Sequence, residues 1–239
     1  MAGAKAAGVK HGAYHFVYWC RPWREEMANF FRTVPVERDA LPPVLDVEWN
    51  GHSKTCPKTV KRDIAIREMQ IFLDMVEKHY GKRPIIYVTV DFYRDVMVGA
   101  FETYPLWVRS VAGYPTIRYG QRKWAFWQYT ATGRAWGIEG PVDRNVFFGS
   151  KKQWQEWLQK NQHEGHGHHH HLPVPAAAEM RRVGRLVEDG RQRLVGVRQV
   201  VDLFEERHDD HHAQFLRHNL RQRGLAQPRR AEEQHVVHR

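Results

Sequence analysis

The sequence predicts an α/β domain of the irregular β/α-barrel kind, followed by a C-terminal tail that is not part of it. Over residues 1–162, short apolar runs alternate with polar, helix-like segments. The helical pattern fades after residue 111, so βα units are followed by strands with little helix between them. The composition also changes sharply near residue 162. Alternation alone leaves a doubly wound sheet open as the other α/β architecture.

Six segments have the character of β-strands. They are short, rich in β-branched and aromatic residues, and bounded by Gly, Pro or polar turns. Several are almost continuously apolar, as expected for a parallel sheet covered by helices. In chain order they are GAYHFV (12–17), PVLDVE (43–48), PIIYVTV (84–90), PLWVRSV (105–111), WAFWQYT (124–130) and VDRNVF (142–147).

Four segments are predicted to be helical. The longest begins near Pro57, where proline suits a first helical turn, and ends at Gly81. Apolar residues recur in it near helical spacing. The other three predicted helices run from about 23 to 33, from 91 to 100, and through a final amphipathic segment marked by Trp154, Trp157 and Leu158.

The composition divides the chain into three expected parts. Residues 1–162 hold all 11 Lys, nine Trp and nine Tyr, whereas residues 163–239 hold 13 Arg, 11 acidic residues and 12 of the 16 His. The second part has few large side chains with which to build a core. We expect a barrel-like domain over 1–160, a His/Pro-rich linker over 161–178, and an Arg/His-rich tail over 179–239 that is poorly ordered or partly helical.

The composition also narrows the class of protein. No run of about 18 apolar residues predicts a membrane span, and the opening AGAKAAGVKHG has no signal-peptide core. Two cysteines are too few for a disulfide scaffold or a Cys-rich zinc site. The net charge of +10 suits nucleic acid or an anionic polymer such as a cell wall. The basic residues are scattered rather than set in a nucleic-acid-reading motif, which disfavours nucleic acid.

Asp46 and Glu48 stand two residues apart at the end of an apolar strand, in PPVLDVEWN. A period of two places both carboxylates on one face, with their Cα atoms roughly 6.5–7 Å apart. At the C-terminal mouth of a parallel barrel, that is where barrel enzymes hold catalytic groups. Two carboxylates facing one cavity repel each other, so one pKa rises and that group can act as an acid near neutral pH. A pair that caps helix N-termini is the alternative interpretation.

Other polar and aromatic residues near strand ends are further candidates. Asp143 opens the last strand and is also compatible with a turn cap, and His15 in the first strand is compatible with simple packing. Most of the aromatic residues should belong to the core. A few would line a glycan groove, since sugar rings stack on aromatic faces. These aromatic residues are Tyr14, Trp19, Trp49, Tyr87, Trp107, Trp127 and Tyr129, of which Trp127 and Tyr129 share a strand face.

The order of the segments GAYHF, LPPVLDVE, IIYVT, LWV and FWQYTATGRAWGIEGPVDRNVFFG resembles glycoside hydrolase family 25, the muramidase-type lysozymes. The resemblance covers about residues 2–158. It implies an irregular TIM-like (β/α)5(β)3 barrel that hydrolyses the β-1,4 bond between N-acetylmuramic acid and N-acetylglucosamine in peptidoglycan, with retention of configuration.

The resemblance also implies roles for individual residues. Glu48 matches the general acid, Asp46 the residue that attacks or assists the substrate's acetamido group, and Asp143 a carboxylate that positions substrate. The implied sugar-binding residues are Tyr14, Tyr87, Trp107, Trp127 and Tyr129. No metal or other cofactor is expected. The expected partner is the glycan strand of peptidoglycan. The protein is expected to be a monomer that acts in the periplasm or outside the cell.

The sequence departs from the family pattern at both ends. The family begins with a D-V-S-x-(W/Y)-Q strand, a helix and a second strand, and AGAKAAGVKHG instead resembles the end of the second helix. We therefore expect a barrel lacking its first two strands and the first-strand aspartate, with a tail that has no family counterpart. An inactive glycan-binding remnant is accordingly the alternative function.

Cys20 follows the first strand segment and Cys56 follows the second. Both cysteines are therefore expected on adjacent loops at one barrel face. In an oxidising compartment a disulfide between these loops is expected if the Cα atoms lie within about 7 Å.

Overall fold

The structure is a computed structural model that describes residues 2–135, 137–163 and 199–200. All of them fall in one of the two compact units into which the chain divides, Met1–Phe204. The predicted boundaries at residues 160 and 178, and the predicted disorder or helix of the tail, stay predictions, because most of that region lies outside the described residues.

Six strands form a curled half-barrel sheet of mixed direction. The strands are β1 (Tyr14–Phe16), β2 (Val44–Val47), β3 (Ile85–Val88), β4 (Leu106–Arg109), β5 (Phe126–Gly133) and β6 (Val142–Phe147). The first five are parallel, β6 is antiparallel to β5, and the strands lie in chain order across the sheet. A two-residue strand, β7 (Gln199–Val200), pairs parallel with β6. All six predicted strands are thus confirmed, and the sheet is a half-barrel rather than a doubly wound sheet.

The helices connect and flank these strands. They are α1 (Ala2–Ala6), α2 (Trp23–Thr33), α3 (Arg62–Tyr80), α4 (Val90–Phe92), which continues as a π-helical turn over Tyr93–Met97, α5 (Pro115–Tyr119) and α6 (Lys151–His163). The prediction for α2 is confirmed. In the described part of the chain, no helix is long and apolar enough to cross a bilayer.

Two helix predictions need correction, and one short helix was not predicted. The helix expected from Pro57 begins only at Arg62, because residue 56 is tied to another loop by a disulfide and residues 57–61 follow that loop. The helix expected to reach Ala100 ends at Met97, where Val98 turns extended and Gly99 adopts a φ of +72°. The five-residue α5 was not predicted, since one turn with Pro at its start has no periodic pattern to read.

Helices pack against both faces of the sheet. On the concave face, Val44, Ile85 and Trp107 pack together with Trp154 and Leu158 of α6, so this helix forms the floor of the half-barrel. Alternate strand residues such as Leu45 and Ile86 lie on the convex face and are at most 1% exposed. The buried side of α3 lies there. This division follows from the period-two alternation of a strand.

His15 illustrates the convex face. Its ring stacks on Phe72 of α3 at 5.1 Å and meets Phe30 of α2 edge-on at 5.9 Å. Its Nε2 atom lies 3.5 Å from a carboxylate oxygen of Glu26. The interpretation of His15 as a packed strand residue is therefore confirmed.

Candidate active site

Three carboxyl groups lie at one end of the half-barrel. Asp46 is the third residue of β2 and lies opposite Tyr87 of β3. Glu48 comes directly after the last residue of β2. Because β6 runs antiparallel to β5, the start of β6, with Asp143, lies at the end where the parallel strands finish. The sheet therefore brings the predicted Asp46, Glu48 and Asp143 to the same mouth.

Asp46 and Glu48 form a carboxyl pair joined by a hydrogen bond. The pKa of Asp46 lies well above its usual range because of burial, followed by the charge of Glu48, their hydrogen bond and the charge of Asp143. Its Oδ1 atom is shielded from solvent and has no hydrogen-bond partner among the described residues. Burial also raises the pKa of Glu48, while the hydrogen bond from Asp46 and the charge of Arg109 oppose that rise. The pair consequently retains a proton at a pH where free carboxyls have lost theirs.

Asp143 is held by a chain of hydrogen bonds across the sheet. The Tyr87 hydroxyl donates to Oε1 of Gln128 at 2.5 Å, and the Gln128 amide donates to the Asp143 carboxylate. Burial raises the pKa of Asp143, and the charge of Arg109 and this amide bond partly offset the rise. Gln128 is 2% exposed, so its amide has a fixed orientation.

Two predicted aromatic residues complete the concave side of the site. The indole Nε1 of Trp107 donates to Oδ1 of the fully buried Asn145 at 2.8 Å, and the Trp107 ring meets Tyr87 edge-on at 5.8 Å. Burial, followed by the charges of Asp46, Asp143 and Glu48, raises the pKa of the Tyr14 hydroxyl. The charges of all three carboxylates act on the Tyr14 hydroxyl and favour its protonated form. The hydroxyl is therefore a hydrogen-bond donor.

The structure does not bring Trp127 to this group. Phe126 packs on the concave face, so period two turns Trp127 to the convex side, where its Nε1 donates to the Ser110 carbonyl at 2.9 Å. The Tyr129 ring lies 6.1 Å from that of Trp127 and 5.9 Å from the Arg144 guanidinium. Trp127 therefore faces away from the carboxyl pair.

Sequence reasoning missed Arg109, Gln128 and Asn145. Arg109 comes two residues after Trp107, and Gln128 comes two residues after Phe126. Residues two apart on a strand share a face, as Asp46 and Glu48 do, so this spacing would have placed both on the concave face. The charge of Arg109 lowers the pKa of both Glu48 and Asp143. Asn145 gives no such signal, because a buried amide within a short polar strand has no distinctive spacing.

The arrangement contains the groups that acid catalysis requires. Within residues 2–135 and 137–163, no group of three or more His, Cys, Asp or Glu side chains has the arrangement of a metal site. A protonated carboxyl beside a second carboxyl, with a third nearby, instead supplies a proton donor and negative charge on one surface. Of the predicted aromatic residues beside them, Tyr14 is half-buried, whereas Tyr87 and Trp107 are 7% and 8% exposed and belong to the core.

Comparison with known proteins identifies the same family as the sequence motifs. The family model of glycosyl hydrolases family 25 matches residues 1–138. The uncharacterized protein YegX of Escherichia coli K12 is 35% identical over 158 residues, which are 63% of this chain and 53% of YegX. Lysozyme M1 of Streptomyces globisporus is 31% identical over 156 residues, which are 60% of this chain and 51% of the lysozyme. The chain spans about half the length of these curated relatives.

Solved structures share the fold. A family 25 glycosyl hydrolase from Bacillus anthracis has 34% identity and a TM-score of 0.57 over 65% of this chain and 71% of its own. The lysozyme of Streptomyces coelicolor has 28% identity and a TM-score of 0.55 over 67% and 77% of the two chains. Since the family model covers more than half of the sequence, including the strand that carries the carboxyl pair, the chain belongs to glycosyl hydrolase family 25.

Proposed function

We propose that this protein is a peptidoglycan muramidase that hydrolyses the β-1,4 bond between N-acetylmuramic acid and N-acetylglucosamine with retention of configuration. The observation that carries the proposal is the Asp46–Glu48 pair at the mouth of the half-barrel, where burial raises the pKa of both carboxyls. Membership of family 25 and the similarity to Lysozyme M1 support the substrate class. The same proposal takes the six strands as the last six of a (β/α)5(β)3 barrel.

In the proposed reaction, Glu48 protonates the leaving glycosidic oxygen. Burial raises the pKa of Glu48 and so favours the acid form. Without substrate, the two hydrogen-bonded carboxyls share the proton, since burial raises the pKa of both. Substrate bound between the two carboxyls would break that bond and leave the proton on Glu48. Glu48 is the more exposed partner, since it lies beyond the strand end.

The remaining groups stabilise the positive charge that develops on the sugar. Ionised Asp46 either attacks the anomeric carbon or orients the 2-acetamido group for attack, and both routes retain configuration. Asp143, fixed by Gln128, and the Tyr14 hydroxyl hold the sugar at the mouth. Trp107 and Tyr87 are 8% and 7% exposed and belong to the core beneath these groups, so they support the site from below. The enzyme would work as a monomer on cell-wall glycan, outside the cytoplasm.

One observation favours a second candidate, an inactive glycan-binding protein. Among the described residues β1 pairs only with β2, so the concave face is open on that side of Tyr14. A site open there would bind glycan yet hold it too loosely for hydrolysis.

A wall-hydrolysis assay separates the two candidates. The purified full chain is mixed with isolated peptidoglycan, and both turbidity and new reducing ends are followed. NMR of the first-formed products then gives the anomer. Clearing with β-anomeric muramic acid ends supports the muramidase. Wall binding without new reducing ends supports the glycan-binding protein, and α-anomers would contradict retention.

A further inference from the structure

Trp19 makes a direct contact with the backbone of Glu48. It lies on the loop after β1 and is 3% exposed. Its indole Nε1 donates a hydrogen bond to the Glu48 carbonyl oxygen at 2.9 Å. The ring stacks on Phe92 with centroids 5.2 Å apart and planes at 18°, and it meets the Trp49 ring at 5.7 Å. The packing around the Trp19 ring therefore fixes the position of its Nε1 donor.

Two further links join the same two loops. Nδ2 of the buried Asn50 donates to the Val17 carbonyl at 3.0 Å. Cys20 and Cys56 form a disulfide with Cα atoms 5.6 Å apart. We call these contacts the loop clamp, which consists of Val17, Trp19 and Cys20 after β1 and Glu48, Asn50 and Cys56 after β2.

The position of Glu48 explains why a clamp is needed. The ladder between β2 and β3 ends at Val47, and the last bond from the β1 side runs from the Val17 amide to the Asp46 carbonyl at 3.0 Å. Glu48 is thus the first residue of its loop rather than part of the strand. Sheet hydrogen bonds fix Asp46, but they do not reach the Glu48 carbonyl. The Trp19 indole takes the place of the missing neighbouring strand.

We propose that Trp19 is a positioning residue, whose indole hydrogen bond fixes the Glu48 peptide so that the Glu48 carboxyl stays aimed into the concave mouth beside Asp46. The proposal rests on the proposed role of Glu48 as proton donor. Small displacements of a reacting group cost large factors in rate, which is why one backbone contact matters here. Trp19 itself need not touch the substrate, because its donor is used on the Glu48 carbonyl.

Trp19→Phe tests this, with Tyr80→Phe as the matched control. The Tyr80 hydroxyl is also a buried aromatic donor to a loop carbonyl, that of Val34 at 3.0 Å, but it lies away from the carboxyl pair. Activity is measured well below both melting temperatures. Trp19→Phe should lower kcat about tenfold with KM within about twofold, as expected when an interaction matters mainly in the transition state. Tyr80→Phe should leave both constants unchanged.

A second readout does not depend on turnover. The Glu48 carboxyl carbon is titrated by NMR in the wild type and in both variants. Burial raises the pKa of Glu48, and a loosened peptide admits water, so Trp19→Phe should move this titration to lower pH. Tyr80→Phe should not move it. If the wild type lacks hydrolase activity, the titration still decides on the clamp while the proposed function fails by itself.

The proposal is overturned if Trp19→Phe behaves like Tyr80→Phe in both kcat and the Glu48 titration. Equal losses of kcat in both variants, in proportion to lost stability, would also overturn it. If Trp19→Phe does not fold, Asn50→Ala replaces it, because it breaks a neighbouring link of the clamp without removing a ring. A severalfold loss of kcat with an acid-shifted Glu48 titration then supports positioning, and unchanged values refute it.

Discussion

At the scale of single residues, the site depends on two carboxyls in unequal surroundings. Asp46 is held by the ladder and shielded, whereas Glu48 projects beyond it. Unequal environments separate the acidities of paired carboxyls, and one of the two becomes a usable proton donor. Their spacing of two residues in the sequence is enough to predict that both carboxyls lie on one face of the strand.

Glu48→Gln should abolish the transferable proton while keeping the shape of the side chain. The loss in kcat on peptidoglycan should be about 10²–10⁴, the usual contribution of general acid catalysis. His52→Ala, an exposed residue four positions later, is the matched control and should keep nearly full activity. Near-wild-type turnover in Glu48→Gln would refute its assignment as the acid.

Asp46→Asn should inactivate the enzyme and stabilise the fold. The folded protein raises the pKa of Asp46 above the ordinary 3.8, so this carboxyl favours the folded state while protonated and loses that contribution as pH rises through its folded pKa. A neutral amide avoids the loss. Thermal melts should therefore show the variant gaining melting temperature at pH 7 to 8 and the gain vanishing below about pH 4. A variant less stable than wild type at pH 8 would contradict this.

At the scale of elements, α6 is the floor on which the site rests. Trp154 is 3% exposed and contacts the Phe126, Phe147 and Trp157 rings. Phe126 lies two residues before Gln128 on β5, so the floor helix supports the strand whose Gln128 amide donates to Asp143 of β6. Apolar spacing in the sequence was sufficient to predict this helix.

Trp154→Ala should lower the free energy of unfolding by about 3–5 kcal/mol, as is usual for a buried tryptophan. Lys152→Ala on the same helix is the control, since its side chain is 87% exposed and should change stability by less than about 0.5 kcal/mol. Urea unfolding followed by tryptophan fluorescence measures both. Equal midpoints for the two variants would show that α6 does not support the fold.

The Cys20–Cys56 disulfide joins the loops after β1 and β2 across 36 positions of sequence. Replacing both cysteines by serine should lower stability by about 2–4 kcal/mol, because the unfolded chain regains the freedom of a closed loop. Urea midpoints with and without reductant measure the effect. A reductant that does not change the wild-type midpoint would show that the disulfide contributes no stability.

Comparing prediction with structure shows which strands, helix boundaries and site residues can be predicted from the sequence. Strands and the carboxyl pair followed from apolar runs and a period of two. The start of α3 did not, since the disulfide that displaces it joins distant residues. A period of two also places Arg109 and Gln128 on the concave face, but their partners on other strands, such as Tyr87 bonded to Gln128, cannot be read from spacing. Spacing separates Trp127 from Phe126, but it does not say which of the two residues is on the concave face.

At the scale of the whole molecule, the sequence predicts that the tail is dispensable. Residues 163–239 contribute no Trp or Tyr to a core. A chain ending at residue 163 should keep the melting temperature and wall activity of the full chain, measured side by side. Loss of either would show that the tail completes the sheet, for which the pairing of β7 with β6 offers a starting point.

The antiparallel course of β6 also has a consequence for synthesis. Asp46 and Glu48 leave the ribosome early, but the carboxylate that shares their mouth lies almost 100 residues later, and the floor helix later still. A nascent or prematurely terminated chain that stops before residue 142 carries the acid pair without Asp143, Asn145 or the helix beneath them. A site that contains all three carboxyls is therefore assembled only after both β6 and α6 have been synthesised.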